Sequence, residues 1–100
     1  MKTIISGLNK IFDSRIRLGI MAALSVNDFL DFITLKELLD ITDGNLASHL
    51  KALEKNELIE VRKQFIGRKP NTAYSISPTG KEMFQQHLNA LEKLINPLQT

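Results

Sequence analysis

One stretch, Thr34 to Lys55, limits the folds open to this chain more than any other, because its caps and its periodicity demand two helices meeting at a sharp corner. Thr34 and Glu37 stand at S/T-x-x-E spacing, which predicts a capping box: the hydroxyl takes an orphan backbone N–H and the glutamate reaches back. The first helix is expected to begin at Thr34. It can last only about two turns, since Asp40, Thr42, Asp43 and Gly44 then gather turn and cap chemistry. Thr42 is the expected cap of the second helix. There Leu46, Leu50 and Leu53 recur at i, i+4 and i+7, and at about 100° per residue they share one side. The other side holds Gly44, Ser48, Lys51 and Lys55, flanked by Asn45 and Ala52, and is small, polar and basic. Such a helix after a short turn can lie in a DNA major groove, about 12 Å wide, where bulky outward groups would hold the backbone away. Asn45, Ser48 and Lys51 are then the candidates to touch base edges. An ordinary amphipathic helix with a solvated face satisfies this segment equally well.

A chain of 100 residues has room for one domain, and 43% apolar composition supports one small core. With no cysteine, disulfides, thiolate metal sites and cysteine nucleophiles are excluded together. No apolar run approaches the roughly 18 residues of a membrane-spanning helix, and the first nine residues lack the core of an export signal. The expectation is a soluble, cytoplasmic protein with no membrane partner. The net charge of +2 says less than its distribution. Val61 to Tyr74 contains Arg62, Lys63, Arg68 and Lys69 and no acid, whereas Asp28, Asp31, Glu54, Glu57 and Glu60 precede it. That separation predicts one positive surface.

On the N-terminal side, Ile4, Ile5, Leu8, Ile11 and Phe12 follow helical spacing, so residues 1–12 are expected to form an amphipathic helix that Gly7 weakens. Asp13 or Ser14 caps the next one, with Ile16, Ile20, Ala23 and Leu24 inward and Arg15 and Arg17 projecting toward solvent or a phosphate. Ser25 to Asp31 reads as a loop that drops Phe29 onto the core, and Phe32–Ile33 as a brief strand. Asn56 is the expected left-handed stop of the second corner helix. Beyond it, alternation through Ile59, Val61, Lys63 and Phe65, and again through Thr72, Tyr74 and Ile76, predicts a hairpin over 58–76. Its loop, with Gly67 for a positive φ and Pro70 for stiffness, is expected to exceed two residues, with Arg68 and Lys69 at the apex. Ser77-Pro78 then starts a long helix, 78–96. Along it Phe84, Leu88, Leu91, Ile95 and Leu98 are spaced 4, 3, 4 and 3 apart, the heptad rhythm, with Pro97 ending the regular helix. These faces, with Ile4, Ile5, Leu8 and Ile11, exceed what one small core uses, so the terminal helices are expected to meet their counterparts in a homodimer. The fold class is mainly α with a small β-hairpin.

The order helix, helix, two-helix corner, basic hairpin, helix now carries a resemblance. With Thr42-Asp-Gly-Asn-Leu46, Ser48-His-Leu50, Gly67 to Tyr74 and Ser77-Pro-Thr-Gly80, the chain from Phe12 to about Leu91 resembles the small prokaryotic winged helix-turn-helix transcriptional regulators of the MarR and ArsR types. The resemblance implies a homodimer on a pseudo-palindromic operator in double-stranded DNA, with a repressor as the default. It also implies a recognition helix from Asp43 to Lys55 and a wing from Val61 to Ile76. Asp43, Gly44, Asn45, Ser48 and His49 match the DNA-facing end of that helix, and Arg68 and Lys69 the wing tip. Ala47 replaces a serine often seen in relatives, and the cysteine sites of metal-sensing relatives are missing.

Weighed singly, Arg68 suits a narrow minor groove, while Arg62, Lys63 and Lys69 suit phosphates or a solvated strand edge. His49 falls beside the leucine stripe, where burial against the first helix competes with phosphate contact. Ser48 and His49 point about 100° apart and cannot act as nucleophile and base. His87, with no acid or second histidine at i±3 or i±4, reads as an interface or surface group rather than a metal ligand. No cofactor and no enzymatic activity are expected. A small-molecule effector of unidentified chemistry has room between the terminal helices. A protein-interaction module of the same fold without DNA is the other reading, which Asp43, Glu54 and Glu57 keep open.

Overall fold

The computed structural model describes residues 3–96. Helix α1 spans Arg15–Ser25, and Ser14 is its cap, the hydroxyl accepting the Arg17 N–H at 3.2 Å. A two-residue strand β1, Leu30–Asp31, leads directly into α2, Phe32–Leu39. Asp31 caps α2: its carboxylate accepts the Thr34 N–H at 2.8 Å. The Thr34–Glu37 capping box is therefore not formed, and Phe32 and Ile33 are helical rather than extended. Two candidate caps lie three residues apart, and the outcome is set from outside the segment. Pairing of Leu30 with Tyr74 and Asp31 with Ala73 holds Asp31 extended, the backbone state an N-cap requires.

Helix α2 closes at Asp40, left-handed at φ 51°, and Thr42 caps α3, Asp43–Lys55, by accepting the Asn45 N–H at 3.2 Å. The exit from α3 differs from the expected one. Asn56 has φ −88°, and the left-handed residue is Glu57 at φ 61°. Leu58 N–H bonds to Leu53 O at 3.0 Å and Glu57 N–H to Glu54 O at 2.9 Å, which is a Schellman motif. Leu53 and Leu58, both buried, supply its apolar contact. Asn56 serves instead through its side chain, donating to Ala52 O at 2.8 Å.

Strands β2, Ile59–Ile66, and β3, Lys69–Ile76, form a hairpin, and the sheet order is β1-β3-β2, all antiparallel. Ile66 pairs with Lys69, so the loop is only two residues long, shorter than the sequence suggested. Of its two residues only Gly67, at φ 64°, is left-handed, the pattern of a type II′ turn whose twist matches the strands. Pro70 is thereby inside β3, at a level that β1 does not border.

Ser77 and Pro78 start α4, Pro78–Ile95, as expected. The Ser77 hydroxyl accepts the Gly80 N–H at 2.9 Å and donates to Glu57 O at 2.6 Å. A Cβ on Gly80 would collide with Leu58 O, so the first turn of α4 lies directly on the α3–β2 junction. Phe12, Ile20, Met21, Leu24, Leu35, Leu46, Leu50, Leu53, Leu58, Ile59 and Phe84 form the core.

The N-terminal segment is not the helix expected over residues 1–12. Its described part makes turns and one 3-10 turn, Lys10–Phe12, begun by Asn9, whose side chain accepts the Ile11 N–H at 3.1 Å. Gly7 and Asn9 both favour such local alternatives over a helix. The arm runs along α4: a Cβ on Gly7 would lie 3.2 Å from Ala90 Cβ, and Asn9 N–H donates to His87 Nδ1 at 3.0 Å. His87 is accordingly 3% exposed, its ring edge-on to Phe12 at 5.1 Å, and is not a surface group. Phe29, placed on the core by the sequence reading, is exposed, and Leu30 packs there instead. The class expected, helices with a small antiparallel sheet, is the class found.

Candidate nucleic-acid interface

Burial divides α3 as its periodicity requires. Leu46, Leu50 and Leu53 are buried, and Asp43, Gly44, Asn45, Ser48, Lys51 and Lys55 are exposed. The first-turn acid is neutralised, Lys36 of α2 reaching Asp43 Oδ1 at 2.7 Å. Both groups are accessible, so the pair contributes little stability, at most about 1 kcal/mol. Its effect is on charge: the outward face of α3 carries Lys51 and Lys55 with Asp43 offset.

His49 takes the structural alternative. Arg17, expected to project away from the core, instead donates from Nε to His49 Nδ1 at 2.9 Å and from Nη1 to Ile11 O at 3.3 Å. One guanidinium thus joins α1, α3 and the N-terminal arm. Burial first, and the adjacent Arg17 charge second, hold the His49 pKa below its ordinary value. A ring nitrogen that accepts from a guanidinium is unprotonated, so the remaining proton sits on Nε2. The link spans 32 residues, and nothing in the sequence announces it.

The hairpin presents Arg62, Lys63, Arg68 and Lys69 to solvent. The register sets Arg62 opposite Ala73 and Lys63 opposite Thr72, so neither has a cross-strand acid. Among the described residues Lys36–Asp43 is the one ion pair found. A further connection was missed by the sequence reading: Gln64 donates to Asn71 at 3.0 Å, and Asn71 to the second oxygen of Asp31 at 3.2 Å. The residue that caps α2 also fixes the hairpin relative to the two-helix corner. Hydrogen bonds from Thr34, with a smaller contribution from Asn71, hold the Asp31 carboxyl below its usual range.

The apolar terminal face is only partly what the heptad suggested. Phe84 packs edge-on to Phe12 at 5.5 Å and belongs to the chain's own core. Leu8, Ile11 and Leu91 are half-buried, while Ile4 (83%), Ile5, Leu88 and Ile95 (78%) are exposed. Leu98 lies outside the described residues. No group of three or more His, Cys, Asp or Glu side chains is placed to hold a metal ion among the described residues, and no described helix is long and apolar enough to cross a membrane.

The family model for the winged helix DNA-binding domain matches residues 16–95, from α1 to the end of α4. The chain belongs to this family. It is a family of DNA-binding domains and not of enzymes. Over 85 residues the winged-helix domain is 36% identical to an uncharacterised protein of Methanocaldococcus jannaschii, covering 85% of this chain and 92% of that one. It is also similar to the transcriptional regulator homologue of Pyrococcus horikoshii, with 34% identity and a TM-score of 0.76, covering 91% and 95% of the two chains. A MarR-family regulator of Porphyromonas gingivalis shares the fold, with a TM-score of 0.69 at 21% identity over 86% and 83% of the chains. The resemblance read from the sequence is thus to the right group, a small winged-helix transcriptional regulator. The helix-turn-helix that the sequence reading expects over Thr34–Lys55 falls on α2 and α3, and the expected wing on β2–β3.

Proposed function

We propose that this DNA-binding regulator works as a homodimer on an operator with two-fold symmetry, and that it represses by occupying a promoter. The observation that carries the reading is the pairing of two exposed surfaces: the small polar face of α3, and a wing without a single acid from Val61 to Tyr74. Asn45, Ser48 and Lys51 read base edges, and Gly44 lets the backbone approach. Lys55, Arg62, Lys63 and Lys69 hold phosphates, which fix register without reading sequence. Arg68, at the turn, reaches the minor groove.

Dimerisation places the exposed apolar residues of the N-terminal arm and α4, Ile4, Ile5, Leu88 and Ile95, against their copies. The unit is then one domain with a helix-turn-helix over 32–55, a wing over 58–76, and a dimer face from the arm and α4. Two recognition helices on one side of a duplex enter successive major grooves about 10 base pairs apart.

Selection of bound fragments from a random DNA pool tests the reading in one step. The expected product is a two-fold symmetric site at that spacing; recovery of no sequence, together with no retardation of random duplex at low salt, makes the domain a protein-interaction module instead. Arg68→Ala is expected to weaken specific and non-specific binding alike and to make the salt slope shallower by about 0.9 per lost phosphate contact. An unchanged slope places Arg68 in solvent.

A further inference from the structure

The tip of the wing carries something a phosphate contact does not need. Phe65 and Ile66, the last residues of β2, are 73% and 60% exposed, and Pro70 across from Phe65 is exposed as well. Strand alternation puts Phe65 and Pro70 on one face of the ribbon and Ile66 and Lys69 on the other. A hairpin tip bound only for solvent is normally built from polar turn residues. Here an aromatic ring stands two residues from Gly67, with Arg68 at the turn and Lys63 on the same face of the ribbon.

We infer that Phe65 is an apolar wedge: when the wing docks, its ring enters the minor groove, partly unstacks one base step and bends the duplex away from the wing. The inference rests on the DNA-bound reading proposed above and goes further, from contact to deformation. The charge around this ring favours a duplex over a protein as its partner. The cations of the wing, Lys63 on the ring's own face, Arg62 and Lys69 on the other and Arg68 at the turn, have no acid among them, so a partner must bring negative charge on both sides of an apolar slot. A duplex supplies that, phosphates flanking stacked bases. The backbone that carries the ring is also fixed, because a two-residue type II′ turn holds the end of β2 against β3 through to the Ile66–Lys69 pair. Finally, an undistorted minor groove is about 6 Å wide, narrower than a two-stranded ribbon with its side chains. Insertion of an apolar side chain at a step bends DNA toward the major groove and opens the minor groove, the change that would admit such a tip. The step chosen should be one that unstacks readily, TA or CA/TG, giving a sequence preference without a hydrogen bond.

The test uses the full chain and a duplex of about 30 base pairs, long enough for two half-sites one helical turn apart. Its sequence alternates T and A, 2-aminopurine replaces the central adenines, and a donor–acceptor dye pair marks the ends. Binding is followed by anisotropy, unstacking by 2-aminopurine fluorescence, and bending by energy transfer. The wild-type protein is expected to raise both fluorescence and transfer. Phe65→Ala is expected to bind with an unchanged salt slope and to lose both signals, and Phe65→Leu to restore part of them. Arg68→Ala is expected to do the reverse, changing the slope. If the wild-type protein binds the duplex without unstacking, or if Phe65→Ala bends it as the parent does, the wedge is overturned while DNA binding stands. If the wild-type protein does not bind at all, both readings fall. If Phe65→Ala instead dissociates the dimer in light scattering, the ring belongs to a protein interface and the wedge is wrong. Phe65 is exposed, so the fold of these variants, checked by circular dichroism, is expected to match the parent.

Discussion

Helices α3 and α4 begin alike, each with a hydroxyl cap followed within three residues by a glycine, yet the two glycines answer to different causes. Gly80 is buried, and a methyl group there would strike the Leu58 carbonyl. Gly44 is exposed, with nothing within 4 Å of where a Cβ would stand and no positive φ to require it. The inside of the protein accounts for the first and gives no reason for the second. The seating of the helices differs in the same way. The N-terminus of α4 is locked by close backbone approach and by Ser77 bridging Gly80 and Glu57. α3 rests its leucines on the core, but its edges are tied by two side-chain links, Lys36–Asp43 and Arg17–His49. One helix is fixed by shape. The other is held by groups that can be exchanged, with its free face turned outward.

The largest effect expected of any single methyl group follows from that lock. Gly80→Ala should cost about 3 kcal/mol or more, because a carbonyl oxygen, not a flexible side-chain end, stands in the way. Urea denaturation measures it. A loss under 1 kcal/mol would mean that α4 slides easily on the α3–β2 junction and that the contrast between the helices is false.

These two seats also mark how far the sequence could be read. Thr42 and Ser77-Pro78 cap their helices as their neighbours predict, and Ser14 is one of the two caps expected for α1, because each of these cap bonds closes within three residues. The leucine stripe of α3 and the existence of a hairpin were legible for the same reason, each being a local repeat. What decided Asp31 over Thr34 was a strand partner some 40 residues away, and a two-residue strand leaves no period to detect. Arg17–His49 and Asn9–His87 span 32 and 78 residues, and no local repeat pairs such groups. On the site itself, exposure agrees with the reading for the outer face of α3 and for the wing. Arg17 and Phe84 depart from it, claimed by the tertiary fold, and His49 takes the structural one of the two roles its position left open.

Arg17→Ala should have the next largest effect. Loss of its bonds to His49 and Ile11 is expected to cost about 1 to 1.5 kcal/mol, one net hydrogen bond and a little more, since water can reach the vacated partners. Specific DNA binding should fall more than non-specific binding, because α3 loses its tether to α1 while the wing keeps its charges. Equal losses on both kinds of DNA would show that Arg17 does not position α3.

Gly44→Ala sharpens the comparison because its two effects have opposite signs. Alanine is the better helix former, so stability should rise by about 0.5 kcal/mol. Affinity for the selected operator should fall by about tenfold if one base contact is lost as the backbone is pushed outward. A variant that is more stable and binds as well as the parent would leave this glycine without a role in the groove.

The smallest effect expected is a pH dependence, and it separates the two seats by chemistry rather than by size. In the fold the His49 pKa lies below 6.5, through burial and then through Arg17, whereas in the unfolded chain it returns to its ordinary value. Between the two values the unfolded state binds more protons, so stability rises with pH there. The His49 contribution is therefore complete above about pH 6.5 and fades as pH falls through the folded value, when a protonated ring can no longer accept from Arg17. Asp31, lowered from 3.8, acts with the same sign, but its contribution begins to fade only as pH falls to about 3.8. Comparing the parent with His49→Gln by urea denaturation from pH 7.5 to 5 isolates the group: the parent's advantage should shrink across that range. Arg17→Met, which removes the second cause but leaves the burial, should narrow the window from its acidic end. An advantage that stays constant with pH would mean that His49 keeps the same proton count folded and unfolded. The α1–α3 link would then be as indifferent to protons as the backbone lock under α4.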